Sequence, residues 1–160
     1  MKIWSGVLFC LLVCCHLKDN TRILNEVIEG KVTGIADGDT FTLLGQGKKQ
    51  LKVRLYGIDC PEKKQDFGSV ARNRLSEIIF GKQVQIQFRS YDRWGRTVGN
   101  VFCDGKSVNE MLLVEGLAWH FIKYDNNPGW SELEKKAREK KLGLWSIPNP
   151  VPPWEWRRSK

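Results

Sequence analysis

The 160-residue chain contains only two histidines, His16 and His120. With no histidine pair, and no cysteine spacing in the body of the chain that suits a metal, a zinc site of the usual Cys/His kind is excluded. Cysteine is scarce as well. Three of the five, Cys10, Cys14 and Cys15, lie in the first twenty residues, which leaves Cys60 and Cys103. These two are read as structural, and in an exported protein they would be able to pair. The main apolar run, Ile3 to Cys15, has 13 residues, short of the roughly 20 that a membrane-spanning helix needs. There is no internal repeat and no linker-like stretch. Acidic residues are outnumbered, 18 against 26 basic ones, giving a net charge of +8. That balance points to an anionic partner, whether nucleic acid, an acidic polymer or a membrane surface, without choosing among them. At 41% hydrophobic residues the chain can fill a core and is not disordered by composition. Seven tryptophans serve equally as core and as stacking faces.

Residues 1–20 differ from the rest. Lys2 precedes the apolar run, and His16, Lys18, Asp19 and Asn20 follow it, the pattern of a secretory signal peptide. Its cleavage region is occupied by Val13, Cys14 and Cys15 rather than small residues, so a lipoprotein-type leader anchored at Cys14 or Cys15 is a second reading and a buried first element a third. On the first two, the protein is secreted or held at the cell envelope.

Residues 21–147 read as one domain, with 148–160 as a Pro- and Trp-rich tail packed extended along it. Asn25 to Ala36, Thr40 to Leu44 and Gln50 to Ile58 have β-branched or alternating apolar residues separated by turn signals, which predicts a three-stranded meander. Gln65 to Phe80 reads as a helix with Val70, Leu75, Ile78 and Ile79 on one face. Lys82 to Phe88 alternates cleanly, and Thr97 to Cys103 returns after a polar turn. Ser107 to Glu110 and Ser131 to Glu134 are capping boxes opening further helices, the second running through Lys141; between them, Leu117 to Tyr124 is a short strand. Five strands with about three helices give an α+β, mainly β fold: a five-stranded Greek-key barrel of the OB type.

One stretch gathers the chemistry. Arg54-Leu-Tyr-Gly-Ile-Asp59-Cys60-Pro61-Glu62 begins as a strand and stops at a proline, so Asp59 and Glu62 leave the sheet at a fixed exit. Taken alone, it reads first as a capped strand end with a solvated turn, and second as a place for a charged ligand or metal. Two other segments bear on it: Asp37-Gly38-Asp39-Thr40, and Arg93-Trp94-Gly95-Arg96. In this order and spacing the three resemble the staphylococcal nuclease-like (thermonuclease) family. Val108-Asn109-Glu110, Gly116-Leu117-Ala118 and Leu144-Trp145-Ser146 match it too, so the likeness runs from about residue 27 to 147.

The resemblance implies a calcium-dependent, sequence-nonspecific phosphodiesterase that cuts DNA and RNA and leaves 3′-phosphates. It further implies a monomer that prefers single-stranded or frayed regions and needs no stable protein partner. Carried over, Asp39 and Asp59 are carboxylate ligands of one Ca2+, the main-chain carbonyl of Cys60 is a third ligand, and Glu62 works through water. Arg54 and Arg96 hold the phosphate. Arg93 and Trp94 fit a phosphate contact and a base-stacking face, and Tyr124 fits a second face. Packing of Trp94 and Tyr124 on the barrel rim remains equally open, as does a turn-holding role for Asp37. His120 is read as packed or surface, and the basic residues from Lys135 to Lys141 as a solvated helix face.

The chemistry asks for these residue types independently. Calcium takes oxygen ligands. Arginine offers a planar fork matching two phosphate oxygens, and with a pKa above about 12 it is a clamp rather than a proton donor. Against the family pattern, the segment Lys63 to Phe67 is short, Cys60 stands where Thr or Ala is common, and Ile122 stands where an aromatic is frequent. The alternative reading is a non-catalytic OB-fold module that only binds nucleic acid.

Overall fold

The structure is a computed structural model that describes residues 26–159, so the leader expected at 1–20 lies outside the described residues. Strands β1 (Val27–Ile35), β2 (Thr40–Leu44) and β3 (Gln50–Leu55) form the antiparallel meander. β4 (Ile58–Asp59) and helix α1 (Gly68–Ile79) follow, then β5 (Gln83–Tyr91) and β6 (Thr97–Cys103). β1 also pairs antiparallel with β5, and β5 with β6. β6 then runs parallel to β3, with Val53 opposite Thr97 and Leu55 opposite Gly99, which closes a five-stranded barrel. Period-two alternation supplies its interior: Val84, Ile86 and Phe88 point inward on β5 while Gln83, Gln85 and Gln87 face solvent. Phe41, Leu43, Val53, Ile86 and Val101 are fully buried in the same core.

After the two-residue β7 (Lys106–Ser107), helix α2 (Val108–Val114) starts at Ser107, whose hydroxyl accepts from the Glu110 N–H as the capping box predicts. β8 (Trp119–His120), α3 (Pro128–Glu139) and the short α4 (Pro153–Trp156) complete the chain. The architecture is the mixed α+β barrel expected, with α1, α2 and α3 as its three substantial helices. Among the described residues no helix is long and apolar enough to cross a membrane.

The differences from expectation have local causes. β3 stops at Leu55 rather than Ile58 because Gly57 turns the chain at φ +66°. Ile58 and Asp59 leave the barrel sheet and pair with β8, Asp59 opposite Trp119, so the strand expected over Leu117 to Tyr124 shortens to two residues. On α1 it is Ala71, not Val70, that joins Leu75, Ile78 and Ile79 in the core; Val70 is 48% exposed. α3 starts earlier than the Ser131 box: Asn127 is the cap, accepting from the Gly129 N–H, and Pro128 opens the helix. The tail is not extended throughout, since Pro153–Trp156 is helical. It docks through Trp154, which stacks on Phe121 at 4.9 Å and meets Trp119 edge-on at 5.6 Å, next to a second small core of Trp119, Ala137, Leu144 and Trp145.

Candidate active site

The turn from β1 to β2 delivers the first acid. Its backbone closes when the Ala36 and Asp37 N–H groups donate to the Thr40 carbonyl at 2.9 and 3.3 Å. The Asp37 side chain accepts from the Asp39 N–H at 3.1 Å, a local bond of the kind that makes Asp a turn residue. Gly38 presses against the strand exit: a Cβ there would lie 2.7 Å from the Cys60 Cβ and 2.8 Å from the Ala71 Cβ. The Cys60 thiol donates to the Gly38 carbonyl at 3.3 Å. The Cys60 side chain therefore pins the acidic turn to the end of β4, a role not apparent from its position in the sequence.

Thr40 lies opposite Arg54 in the β2–β3 register, so Asp39 and Arg54 emerge side by side. Arg54 Nη1 donates to Asp39 Oδ1 at 2.6 Å, and its Nη2 donates to Asp59 Oδ1 at 2.8 Å. One guanidinium thus joins the two aspartates, both buried. Asp39 also accepts from the Thr40 hydroxyl and the Cys60 N–H, each at 3.0 Å. Arg96 arrives from the β5–β6 turn and reaches the Thr40 hydroxyl through Nη1 at 3.4 Å. Glu62, just past Pro61, is half-buried at the rim, with its N–H bonded to Gln65 Oε1 at 3.1 Å. A further arginine, Arg157 of the tail, donates through Nη2 to Asp59 Oδ2 at 2.7 Å and through Nη1 to Glu62 Oε1 at 2.6 Å. Asp39, Arg54, Asp59, Glu62 and Arg96 therefore meet at one mouth of the barrel.

Comparison with known proteins shows which family the fold belongs to. Residues 52–147 match the family model described as Staphylococcal nuclease homologue. The chain is 40% identical over 139 residues to an uncharacterized endonuclease of Escherichia coli O157:H7, covering 86% of this chain and 90% of that protein. It is 40% identical over 141 residues to a micrococcal nuclease of Shigella flexneri, covering 81% and 80%. With a staphylococcal-like nuclease of Arabidopsis thaliana the identity is 43% over 112 residues, which is 70% of this chain but only 35% of the plant protein.

The chain belongs to the staphylococcal nuclease homologue family. The span matched by the family model holds Arg54, Asp59, Glu62 and Arg96 and ends before the tail that carries Arg157.

In this family member the electrostatics follow from burial and pairing. Burial works against ionising Asp39, but the Arg54 guanidinium, the Cys60 N–H and the bonds from Asp37 and Thr40 outweigh it and hold its carboxyl below the usual range. Asp59 is pushed up, by burial first and by the charge of Asp39, against the pull of Arg157 and Arg54. Asp37 is pushed up to about 7 by burial and by neighbouring Asp39. Arg54 is held fully charged because Asp39 and Asp59 overcome its own burial. Burial and the two aspartates push the Cys60 thiol well up, so it stays protonated.

These donors are of the kind a hard cation takes, although Arg54 and Arg157 hold the aspartate oxygens in this structure and a cation would have to share them. Asp39 and Asp59 offer carboxylate oxygens, and the Cys60 N–H bond to Asp39 fixes the backbone leading to the Cys60 carbonyl. The protonated Cys60 thiol is no soft ligand. His120 is turned away, bonded to Ser131 and Asp125 at 2.9 Å each. Among the described residues no three acidic, cysteine or histidine side chains form a complete cage. Two aspartates would supply a minority of the roughly 6–8 oxygens calcium takes, leaving the rest to main chain, water and substrate.

The outlying candidates divide. Trp94 is 66% exposed rather than packed on the rim, with the Arg93 guanidinium 4.1 Å and that of Arg96 5.1 Å from its ring centre. Tyr124 is exposed too, but among the described residues its contacts are with Tyr56, Phe121 and Lys123, not with the acid–arginine cluster. On α3, Lys135 and Lys136 pair loosely with Glu132, a solvated face, while Arg138 lies 3.6 Å over Trp145 as packing. Cys60 and Cys103 are both buried free thiols, so the pairing considered for them does not occur. They sit apart along α1: Cys60 against Gly38, and Cys103 donating to the Ile78 carbonyl at 3.5 Å.

Two site residues escaped the sequence reading. Asp92 orients Arg96, and its place four residues earlier in the same tight turn was an available signal. Arg157 reaches Asp59 from 98 positions away, and no local pattern announces that.

Proposed function

We propose that this chain is a calcium-dependent, sequence-nonspecific nuclease that hydrolyses DNA and RNA to 3′-phosphate products. The observation that carries the reading is Arg54 joining two buried aspartates at 2.6 and 2.8 Å, with Arg96 and Glu62 at the same mouth. Arg54 pairs both buried acids, which meets the cost of their burial; what a plain binding module does not need is the convergence of those acids with Glu62 and Arg96 at the same mouth.

Each residue then has a task. Arg54 and Arg96 face the non-bridging oxygens of a phosphodiester and stabilise the charge that grows there, an electrostatic contribution that needs no reorganisation. Glu62 orients a water and takes its proton as the water oxygen bonds to phosphorus. The P–O5′ bond breaks, the phosphate stays on the 3′ side, and the 5′ oxygen takes a proton from solvent. Arg96 does not give that proton, because arginine stays charged at any working pH. Asp39, Asp59 and the Cys60 carbonyl would hold the cation, which would supply Lewis-acid polarisation of the phosphate and a more acidic water. Trp94, flanked by Arg93, offers an exposed face on which an unpaired base can stack, a sequence-tolerant contact worth about 1–3 kcal/mol. That favours single-stranded or frayed substrate, with Tyr124 as a more distant face. The protein acts as a monomer without a stable protein partner, and the leader directs it to the envelope or the exterior.

End analysis tests the reading. An oligonucleotide digested with calcium present is expected to give fragments with 3′-phosphate and 5′-hydroxyl ends by mass spectrometry. Fragments with 5′-phosphates would refute the proposed bond cleavage, and binding without fragments would mark a non-catalytic OB-fold module.

A further inference from the structure

Arg157 lies beyond the segment shared with the family model, yet its side chain bonds both acids, Asp59 and Glu62. We infer that the C-terminal tail is part of the active site and that Arg157 is a positioning residue, holding Glu62 in register with Asp59.

Glu62 has little else to hold it. It follows Pro61 and opens a short connection to α1, and its side chain is 38% exposed. A glutamate so placed has several rotamers open to it, and only some aim its oxygens at a substrate water. Arg157 removes that freedom. Its Nη1 donates to Glu62 Oε1 at 2.6 Å and lies 3.3 Å from Asp59 Oδ1, while Nη2 donates to Asp59 Oδ2 at 2.7 Å. A planar fork shared between two carboxylates fixes their relative position as a single ammonium would not. Glu62 Oε2 remains outside this fork.

The tail is built to stay in place. Trp154 stacks on Phe121 and meets Trp119 edge-on, Pro153 is buried, and Gln65 bonds the Val151 carbonyl. Gln65 also accepts from the Glu62 N–H, so one side chain ties the backbone of Glu62 to the tail that carries Arg157. The short segment after Glu62 thus has its support supplied from the far end of the chain. A tail meant to swing out and release the site would not be locked by buried proline and stacked tryptophan. Between loop and tail a surface hollow of about 240 Å³ stays open, lined by Glu62, Lys63, Lys64, Trp156 and Arg157.

The inference rests on the nuclease reading of the same site, and a four-member cycle separates the two. The wild type, Arg157→Gln, Glu62→Gln and the double variant are compared by kcat and KM on DNA with calcium. Their affinity for single-stranded DNA in chelator is measured by fluorescence anisotropy, and Arg157→Lys is carried alongside. A small misplacement of a catalytic group costs on the order of 100-fold, so Arg157→Gln is expected to lower kcat by about 10–100-fold. KM and DNA affinity should change by less than about 3-fold, and Arg157→Lys should recover part of the loss. In the Glu62→Gln background, Arg157→Gln should cost nothing further, since coupled residues are non-additive. An inactive wild type defeats the nuclease reading itself. An active wild type with an unchanged or faster Arg157→Gln variant overturns the positioning role, the faster case marking the tail as an obstruction. A fully additive loss, or one appearing in KM and DNA affinity, overturns it in favour of an independent phosphate contact. If Arg157→Gln fails to fold, Arg157→Lys with and without Glu62→Gln gives the same cycle.

Discussion

Asp92 grips Arg96 twice: Oδ2 accepts from the Arg96 Nε at 2.6 Å, and Oδ1 accepts from the Arg96 main-chain N–H at 3.0 Å. Arg96 is thereby pointed at the Thr40 hydroxyl beside Asp39 rather than left to sweep through solvent. Asp92→Ala is expected to reduce kcat by about 10-fold or more through misaimed charge, and to lower stability by about 1–3 kcal/mol. Urea unfolding and initial rates check the two effects separately.

The same pair sets a pH dependence. Burial works against ionised Asp92, but the Arg96 and Trp94 N–H bonds overcome it, so its folded pKa lies below the unfolded value of about 3.9. Its contribution is therefore complete well above pH 3.9 and fades as pH falls through the folded value. The gap in melting temperature between wild type and Asp92→Asn should be widest at pH 6 and should narrow steadily towards about pH 3. Thermal melts across that range provide the check.

Arg54 has a structural debt as well as a chemical one. Replacing it with Ala would leave Asp39 and Asp59 buried together without their shared partner. Breaking buried ion pairs this way costs about 3–5 kcal/mol, and Arg54→Ala should approach that loss in denaturant titration. Arg54→Lys should recover stability only in part, because one ammonium cannot serve both carboxylates with the fork geometry.

Gly38 gives a purely steric test. A methyl group there would press on both Cys60 and Ala71, and overpacking of this kind costs about 1–3 kcal/mol. Gly38→Ala should lower the melting temperature and, by shifting the turn that carries Asp39, weaken calcium binding measured by calorimetry. Equal stability would mean the turn can move aside.

Protein lacking residues 1–20 should present two thiols in denaturant without reductant, and both should react slowly when folded, because Cys60 and Cys103 are buried and unpaired. Reductant should leave the melting temperature unchanged. One or no thiol in denaturant would contradict the free-thiol structure.

The barrel was legible because its strands carry their own period: the alternation in Lys82 to Phe88 and the turn at Asp37 to Thr40 are local signals that packing had no reason to override. Turn chemistry and the Pro61 exit put Asp39, Asp59 and Glu62 at strand ends, but alone they read as caps; it was the resemblance of the three segments, taken together, that made Asp39, Arg54, Asp59, Glu62 and Arg96 candidates. What stayed hidden depends on long-range contact. Val70 and Ala71 swap roles because the helix packs closely enough that only a small residue fits beside Gly38 and Cys60. The reach of Arg157 to Asp59 follows from where Trp154 and Pro153 dock, which no periodicity records.

Asp39, Asp59, Glu62, Arg54 and Arg96 are proposed to form one calcium-dependent phosphodiester site. Its most direct test is digestion of single-stranded DNA, duplex DNA and RNA by protein lacking residues 1–20, with calcium, with chelator, and with Glu62→Gln in parallel. The expected result is degradation of all three substrates in calcium, arrest by chelator, and turnover lowered about 100-fold or more in Glu62→Gln with DNA binding retained. Intact substrates after prolonged incubation in calcium, magnesium and manganese alike would show that these residues do not form such a site.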